Sequence, residues 1–214
     1  MTDAALDMAL ADDAISAPTP PTLHQRLQQA TAADHQAVEE RVNLMGIDSL
    51  ARYQRVLVAF HGFWPGIEVR INAALPPVLQ LEWAPRWRAA RLPADLSVLG
   101  GESPAAVAAL PVCDDWPAIT NEPEALGALY VVEGSSLGAR HIGRHLQARL
   151  GLDAASGASF FAGYGEHTGP WWLRFKAVLQ QQLATPEQQA MAVQGARQTF
   201  ASLNRWFTSS LPHG

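Results

Sequence analysis

Hydrophobic positions recur every three or four residues along most of this chain, which is the period of a helix that buries one face. The first such segment runs from about Thr22 to about Asn43, and the second from about Ser49 to about Ala74. The second must end there, because Pro76 and the proline after it cannot continue a helix. The inward-facing positions of the first segment are Leu23, Leu27, Thr31, His35, Val38 and Val42.

The same period continues in the second half of the chain. The later predicted elements are a short helix near 87–92, apolar positions at 96–99, a Gly-Gly break at 100–101, a loop ending near 117, a helix over 125–146 opened by Asn121, a Gly/Ser-rich connection at 151–157, a short helix near Phe160 and a helix over 171–184. Thr185 and Pro186 are typical N-cap and first-turn residues of a last helix. No segment shows the alternation of a strand, so the sequence predicts an all-α, single-domain bundle of several helices.

The helix over 125–146 carries four interior glycines, each of which costs a helix roughly 1 kcal/mol relative to alanine. They are Gly127, Gly134, Gly138 and Gly143. At the helical angle of about 100° per residue, the first three share one sector with His141 and His145. This pattern fits close packing of a neighbouring helix, a His-x-x-x-His metal site, or a smooth wall beside a planar ligand.

The metal site is the weakest of these interpretations, because no nearby carboxylate or cysteine completes a usual zinc ligand set. Packing of a helix is the simplest interpretation of the glycines alone. The run from Gly134 to Gly138 also favours a kink, because Gly/Ser pairs are common kink sites. The pattern alone leaves helix packing and a ligand wall both open.

Composition narrows the classes of function. The chain has 214 residues, 48% of them hydrophobic, which is enough for one sizeable core. Its formal net charge of -5 argues against a nucleic-acid surface. The single cysteine fits a reducing compartment, and no run approaches the roughly 18 apolar residues of a membrane span.

The first 22 residues are acidic and lack the basic start of a secretory signal. We therefore expect a cytoplasmic protein with a disordered lead-in at 1–22, a helical domain at 23–210 and a short tail at 211–214.

His35 is the sharpest candidate for chemistry. It lies on the inward-facing stripe of the first helix, and Glu39 follows one turn later. A metal-binding histidine usually donates its other ring N–H to such a carboxylate. The alternative is a core or boundary histidine that is hydrogen-bonded to a carbonyl.

Three segments in order resemble a known family. They are Leu27-x3-Thr31-x3-His35-x3-Glu39, then ALYVVEGSSLG at 128–138, then Ala196-x3-Phe200-x6-Phe207. Together they resemble bacterial haem oxygenases that form biliverdin, and most of all the form that supplies chromophore to bacterial phytochromes. The resemblance covers residues 23–210.

This resemblance implies that His35 is the proximal ligand of haem iron and that Glu39 is its hydrogen-bond partner. It also implies that Gly134 and Gly138 let bound dioxygen lie low across the porphyrin, and that Phe200 lines the distal pocket.

Two positions depart from the family pattern. Ser135 stands where animal members have an aspartate that organises water, so the group that delivers protons is open. Gln28 stands where a basic residue usually meets a haem propionate, which puts the usual haem orientation in doubt.

The implied activity is oxidative cleavage of haem to biliverdin, carbon monoxide and ferrous iron, with haem as both substrate and cofactor. It needs dioxygen and an external electron donor such as a ferredoxin or a reductase, and a bacteriophytochrome could accept the biliverdin. The alternatives are a non-catalytic haem-binding or haem-transfer protein, and a thiaminase-like relative that binds another small molecule.

Burying the propionates of haem without partners would be costly, so polar residues are expected near the pocket mouth. The candidate partners are Gln28, Tyr130, His145 and Lys176, with Arg26, Arg140, Arg144, Arg197 and Arg205 as alternatives.

Overall fold

The computed structural model describes residues 21–101 and 103–211, and within these residues it contains helices and no strand. The all-α prediction is therefore confirmed for the described part of the chain. The predicted lead-in (except its last two residues) and the last three residues lie outside it. The helices are α1 Leu23–Val42, α2 Leu50–Ala74, α3 Pro77–Trp83, α4 Arg91–Gly100, α5 Pro104–Ala108, α6 Glu122–Gly134, α7 Ala139–Leu150, α8 Thr168–Gln182 and α9 Pro186–Ser210. None of these helices has the length and apolar content that crossing a membrane requires.

The longest helices begin and end at the residues that the sequence indicated. Thr22 and Thr185 cap α1 and α9, each in a capping box with the glutamine three residues later. The Ser49 side chain accepts a hydrogen bond at the start of α2, and Asn43 ends α1 in the left-handed conformation. These boundaries depend on side chains within one helical turn, which is why they are visible in the sequence.

Predictions in the middle of the chain were partly wrong. The helix predicted near 87–92 begins only at Arg91 and continues through the apolar positions 96–99 to Gly100 as α4. Pro77 does not only end α2; it also starts α3, which was not predicted. The predicted loop that ends near 117 contains α5, which is opened by Ser103. No helix forms near Phe160; residues 154–164 form successive turns.

The predicted helix over 125–146 is two helices. Helix α6 ends at Gly134, residues 135–138 form turns, and α7 begins at Ala139. The kink expected at this Gly/Ser run is thus a full break. Because of this break, Gly127 and Gly134 on α6 do not share one helical face with His141 and His145 on α7, as had been predicted.

Helix α9 packs along both α6 and α1, while α2 packs on α4 and α6. The α6–α9 contact is very close at two glycines. A Cβ atom on Gly127 would collide with the carbonyl oxygen of Ala192, and one on Gly195 with the carbonyl oxygen of Glu124. Glycine is required at both positions, because only a residue without a Cβ lets two backbones approach this closely.

Candidate functional site

Between α1, the α6–α7 break and α9 lies a cavity of about 150 Å³, called here the inner cavity. Six predicted site residues line it: His35, Glu39, Gly134, Ser135, Gly138 and Phe200. Several of its other lining residues are aromatic. The family-like segments thus meet at one place although they lie far apart in the sequence.

A second cavity of about 480 Å³, the outer cavity, lies beside the first. It shares His35, Glu39, Gly134 and Phe200 with the inner cavity and adds Gln28 and Tyr130. We call the two cavities together the slot. The slot therefore contains the predicted site residues except His145, which lines neither cavity, and Lys176, which lines a separate cavity with Thr22 and His24.

His35 stands on α1 at the junction of the two cavities. Its side chain is 56% exposed, and its Nδ1 atom lies 3.4 Å from Glu39 Oε2. The ring meets Phe200 edge-on, with 5.8 Å between ring centroids. Because Nδ1 is turned toward Glu39, Nε2 is the nitrogen that could bind a metal.

No group of three or more histidine, cysteine or acidic side chains among residues 21–101 and 103–211 could hold a bare metal ion. A single histidine in a mainly apolar slot suits a metal that brings its other ligands with it. Haem is such a group, because its porphyrin supplies four nitrogens to the iron and a protein histidine supplies the fifth ligand.

Gly134 and Gly138 form the wall that faces α1 across the slot. A Cβ atom on Gly134 would have nothing within 4 Å, and one on Gly138 would meet only Ile142 Cδ1, at 3.5 Å. Both glycines therefore border open space. The two interpretations left open by the sequence apply to different glycines: Gly127 admits a neighbouring helix, while Gly134 and Gly138 leave a free wall.

The two histidines of α7 do not continue this wall. His145 Nε2 lies 2.8 Å from the carbonyl oxygen of Ile47 and so ties α7 to the segment between α1 and α2. His141 lines a different surface cavity together with Arg140. The prediction that both imidazoles share the patch with Gly134 was wrong, because the break at 135–138 changes the direction of the chain.

Ser135 follows the wall and is held on both sides. Its hydroxyl donates to the carbonyl oxygen of Val132 at 2.6 Å and accepts from Arg88 Nη2, also at 2.6 Å. Arg88 is 2% exposed and lines the inner cavity. Sequence reasoning missed Arg88, since arginine is rarely buried and its partners lie more than 40 residues away.

Glu133 precedes the wall and is buried, facing away from the slot. Its carboxylate accepts from Trp83 Nε1 at 2.8 Å and from the Tyr164 hydroxyl at 3.3 Å. Burial raises the pKa of this carboxyl, while these hydrogen bonds and nearby arginines act in the opposite direction. The end of α6, and with it Gly134, is thereby anchored to α3 and to Tyr164.

The outer cavity is polar but carries no lysine or arginine among the described residues that line it. Tyr130 is half-buried, and its ring contacts His24 and Trp172. Burial, followed by the nearby Lys176 ammonium, lowers the pKa of His24. None of the five arginines proposed as propionate partners lines either cavity; Arg197, for example, pairs with Asp34 at 3.6 Å.

The slot fits a flat, mainly apolar group in shape and chemistry, with an open wall on one face and an imidazole on the other. The inner cavity is smaller than the roughly 300 Å³ at which ligand pockets begin. A macrocycle would therefore have to extend into the outer cavity and part the ring contact between His35 and Phe200.

Known proteins are similar to this chain in sequence and in fold. The family described as heme oxygenase matches residues 21–209. A heme oxygenase of Xanthomonas campestris pv. campestris (strain 8004) is 34% identical over 149 residues, which cover 70% of this chain and 84% of that protein.

Two solved structures are also similar. The NO- and CO-bound heme oxygenase from Neisseria meningitidis has a TM-score of 0.67 and 26% identity, and the match covers 90% of this chain and 94% of that one. Heme oxygenase from Leptospira interrogans has a TM-score of 0.70 over 88% of this chain and all of that one, and at 17% identity it supports the fold alone.

Proposed function

This chain belongs to the haem oxygenase family and degrades haem to biliverdin, and we propose that it does so in the slot between α1, the α6–α7 break and α9. The observation that carries this assignment to the slot is the pairing of His35 with an open glycine wall. Both line the inner cavity, and a Cβ on Gly134 would have nothing within 4 Å.

In this proposal His35 Nε2 holds the haem iron. Glu39 accepts the Nδ1 proton of the same ring, which fixes the tautomer and makes the imidazole a better ligand. Bound haem supplies the iron at which dioxygen is activated, and external electrons complete the release of carbon monoxide and ferrous iron.

The second proposed role belongs to the glycine wall formed by Gly134 and Gly138. With no side chain on Gly134 or Gly138, the space beside this wall would stay free for a small ligand of bound haem. Phe200 limits the space from α9, because its ring lines both cavities. These residues favour attack on the macrocycle by leaving its face uncovered.

The propionates of haem would lie in the outer cavity, where Gln28 and Tyr130 are neutral donors. Lys176 lines a neighbouring cavity that shares His24 with the outer cavity. Neutral partners leave the propionates dependent on water, so we expect weaker anchoring than a lysine or an arginine would provide.

We further propose that the biliverdin serves as a phytochrome chromophore, on the strength of the YVVEGSSLG segment. Iron release is the alternative fate of the reaction. The electron donor would be a ferredoxin or a reductase, and the protein would act in the cytoplasm.

The test is to add hemin to the purified protein and then a reductant in air. We expect a sharp Soret band that gives way to the broad red absorption of biliverdin. His35→Ala should lose this turnover, while His141→Ala, an exposed histidine outside the slot, should keep it. A Soret band that survives repeated reduction in air would instead indicate a haem-binding or haem-transfer protein. Failure to bind hemin would point to another ligand.

Glu39→Gln tests the partner of the proposed ligand. It should weaken hemin affinity by about 10-fold, the lower end of the effect of removing such a partner. Equal affinity for wild type and variant in a hemin titration would remove Glu39 from the proposal.

A further inference from the structure

Two adjacent phenylalanines, Phe160 and Phe161, line the inner cavity from the segment 151–164 between α7 and α8. They are 1% and 5% exposed, and their rings meet edge-on with 5.1 Å between centroids. The main chain around them forms turns, so no regular helix fixes the two rings. Their position in the cavity must therefore depend on groups outside this segment.

Asp95 of α4 supplies such a group. Its side chain is buried, and its Oδ1 atom accepts from the Ser159 N–H at 3.0 Å and from the Ser159 hydroxyl at 2.7 Å. Its Oδ2 atom accepts from the Phe160 N–H at 2.8 Å. Because hydrogen bonds to an ionised carboxylate are roughly twice as strong as neutral ones, this contact holds the main chain of Phe160 firmly.

Arg91 holds the same segment by its carbonyl groups. It lies one turn before Asp95 on α4, and its Nη1 atom donates to Ser159 O at 3.2 Å and to Gly163 O at 2.6 Å. Asp95 thus binds N–H groups and Arg91 binds carbonyl groups of one short stretch of chain. The bonded positions lie on both sides of Phe160 and Phe161 in the sequence.

The segment also packs closely at Gly157, just before these contacts. A Cβ atom there would lie 2.5 Å from Leu99 Cγ of α4, and the φ angle of +108° favours glycine. The hydroxyl of the buried Tyr53 on α2 donates to Gly157 O at 2.9 Å. Residues 157–163 are therefore held against two helices, which restricts movement of the rings they carry.

Asp95 itself stands behind the cavity. Among the described residues, α4 contributes none to the lining of the inner or the outer cavity, so Asp95 can affect a ligand only through Phe160 and its neighbour. Burial of a carboxylate is costly unless hydrogen bonds satisfy it. A satisfied buried polar network selects one arrangement of the groups that it joins.

We propose that Asp95, assisted by Arg91, is a positioning residue that fixes Phe160 and Phe161 in the inner cavity and thereby selects which edge of the haem macrocycle is cleaved. The inner cavity is only about 150 Å³, so a shift of either ring changes how deep and at which rotation the macrocycle binds. This role rests on the proposed function, because it requires haem in the slot.

Asp95→Ala removes all three hydrogen bonds and is the main test. In the hemin-free protein, the Phe160 amide should exchange with solvent at least about 10-fold faster, as expected for lost bonds to a charged group. With hemin and a reductant in air, the ratio of the main biliverdin isomer to the others, separated by chromatography, should fall by about 10-fold. Asp95→Asn keeps the size and part of the acceptor capacity, and it should change both quantities less.

A double variant tests whether Asp95 acts through the ring. Phe160→Leu should alter the isomer ratio by itself, since this side chain lines the cavity. Adding Asp95→Ala to Phe160→Leu should then change the ratio less than Asp95→Ala does in wild type. Equal changes in both backgrounds would contradict action through Phe160.

Asp153 gives a matched control in the same segment. Its carboxylate also accepts two backbone N–H groups and one serine hydroxyl, from Ala155 N at 2.9 Å, Ser156 N at 3.0 Å and Ser156 Oγ at 2.8 Å. It lines neither cavity of the slot. Asp153→Ala should therefore leave the exchange of the Phe160 amide and the isomer ratio unchanged.

The outcomes separate this role from the proposed function. If wild type shows no Soret band with hemin, the proposed function is wrong and the role of Asp95 with it. If hemin binds and the Phe160 amide exchanges faster in Asp95→Ala at a wild-type isomer ratio, Asp95 is only structural and the proposal is wrong. Should Asp95→Ala not fold, Asp95→Asn and Ser159→Ala, which each remove at least one of the hydrogen bonds, decide. A wild-type isomer ratio in both would overturn the proposal.

Discussion

Gly127 and Gly134 lie on the same helix, seven residues apart, and have opposite surroundings. At Gly127 the backbone of α9 occupies the space that a side chain would need; at Gly134 that space is open within 4 Å. The first glycine makes room for a neighbouring helix, and the second leaves the open space in which we propose that haem binds. The same residue type thus serves packing at Gly127 and, in our proposal, ligand binding at Gly134.

The two positions also differ in how their helical cost is offset. The close α6–α9 packing can compensate for the roughly 1 kcal/mol that Gly127 costs its helix. At Gly134 an added Cβ would meet no described residue within 4 Å, so close helix packing does not explain this glycine. The proposed need for empty space beside bound haem would explain it, at some expense of stability.

The largest expected effect is that of Gly127→Ala on stability. The added methyl would meet the Ala192 carbonyl, a backbone group that cannot rotate away, so we expect a loss of about 3 kcal/mol in the free energy of unfolding. Urea denaturation followed by circular dichroism measures it. Gly195→Ala, which meets the Glu124 carbonyl from the other helix, should behave alike. Wild-type stability in both variants would show that the contact is looser than described.

Gly134→Leu should have the opposite pattern of effects: a small change in stability and a large loss of activity. Its Cβ enters open space, so the free energy of unfolding should change by less than about 1 kcal/mol, within the range of tolerated substitutions. Biliverdin formation should fall by about 10-fold, equivalent to about 1.4 kcal/mol, because the side chain covers the face left free for the iron ligand. Hemin binding, followed by the Soret band, should persist through His35. Unchanged biliverdin yield would contradict our account of the wall.

Gly143→Ala tests whether open space alone explains these effects. A methyl group on Gly143 would also have nothing within 4 Å, but this residue lies inside α7 and lines neither cavity of the slot. We expect a gain of about 0.5–1 kcal/mol in the free energy of unfolding and unchanged turnover. A fall in turnover comparable to that of Gly134→Leu would mean that the wall extends beyond Gly138.

The smallest expected effect concerns Glu133, at the C-terminal end of α6. It is a change in how the free energy of unfolding depends on pH. Burial raises the pKa of this carboxyl above its ordinary value of 4.5, so its folded form favours the proton. Its contribution is therefore complete below pH 4.5 and declines as the pH rises through the folded pKa. Glu133→Gln should flatten that decline in denaturation curves measured at several pH values, whereas an unaltered slope would exclude Glu133 as its source.

The slope should be reduced rather than abolished, because burial also raises the pKa of Glu68. Glu122→Gln is the control, since Glu122 lies at the other end of α6 and its carboxyl also has a pKa raised by burial. If the pH slope changes more in Glu122→Gln than in Glu133→Gln, the carboxyl responsible for the decline lies at the N-terminal end of α6.

Local features of the fold were predictable from the sequence alone. The helical period, the capping residues Thr22 and Thr185 and the weak point between Gly134 and Gly138 all act within one or two turns, so their effects are present in the sequence itself. The juxtaposition of His35 with Glu39 belongs to the same class, because it follows from the pitch of one helix.

The remaining features depend on residues that are distant in the sequence. Nothing near Gly127 or Gly134 shows that one faces Ala192 and the other faces a cavity, and nothing near Arg88 shows that Ser135 and Phe160 surround it. The sequence by itself determined an all-α chain with a histidine and an acid one turn apart and with several glycines in a helical segment. Only the tertiary structure decided which glycines stay open and that a buried arginine stands behind the wall, because burial and clashes are properties of packed neighbours rather than of the local chain.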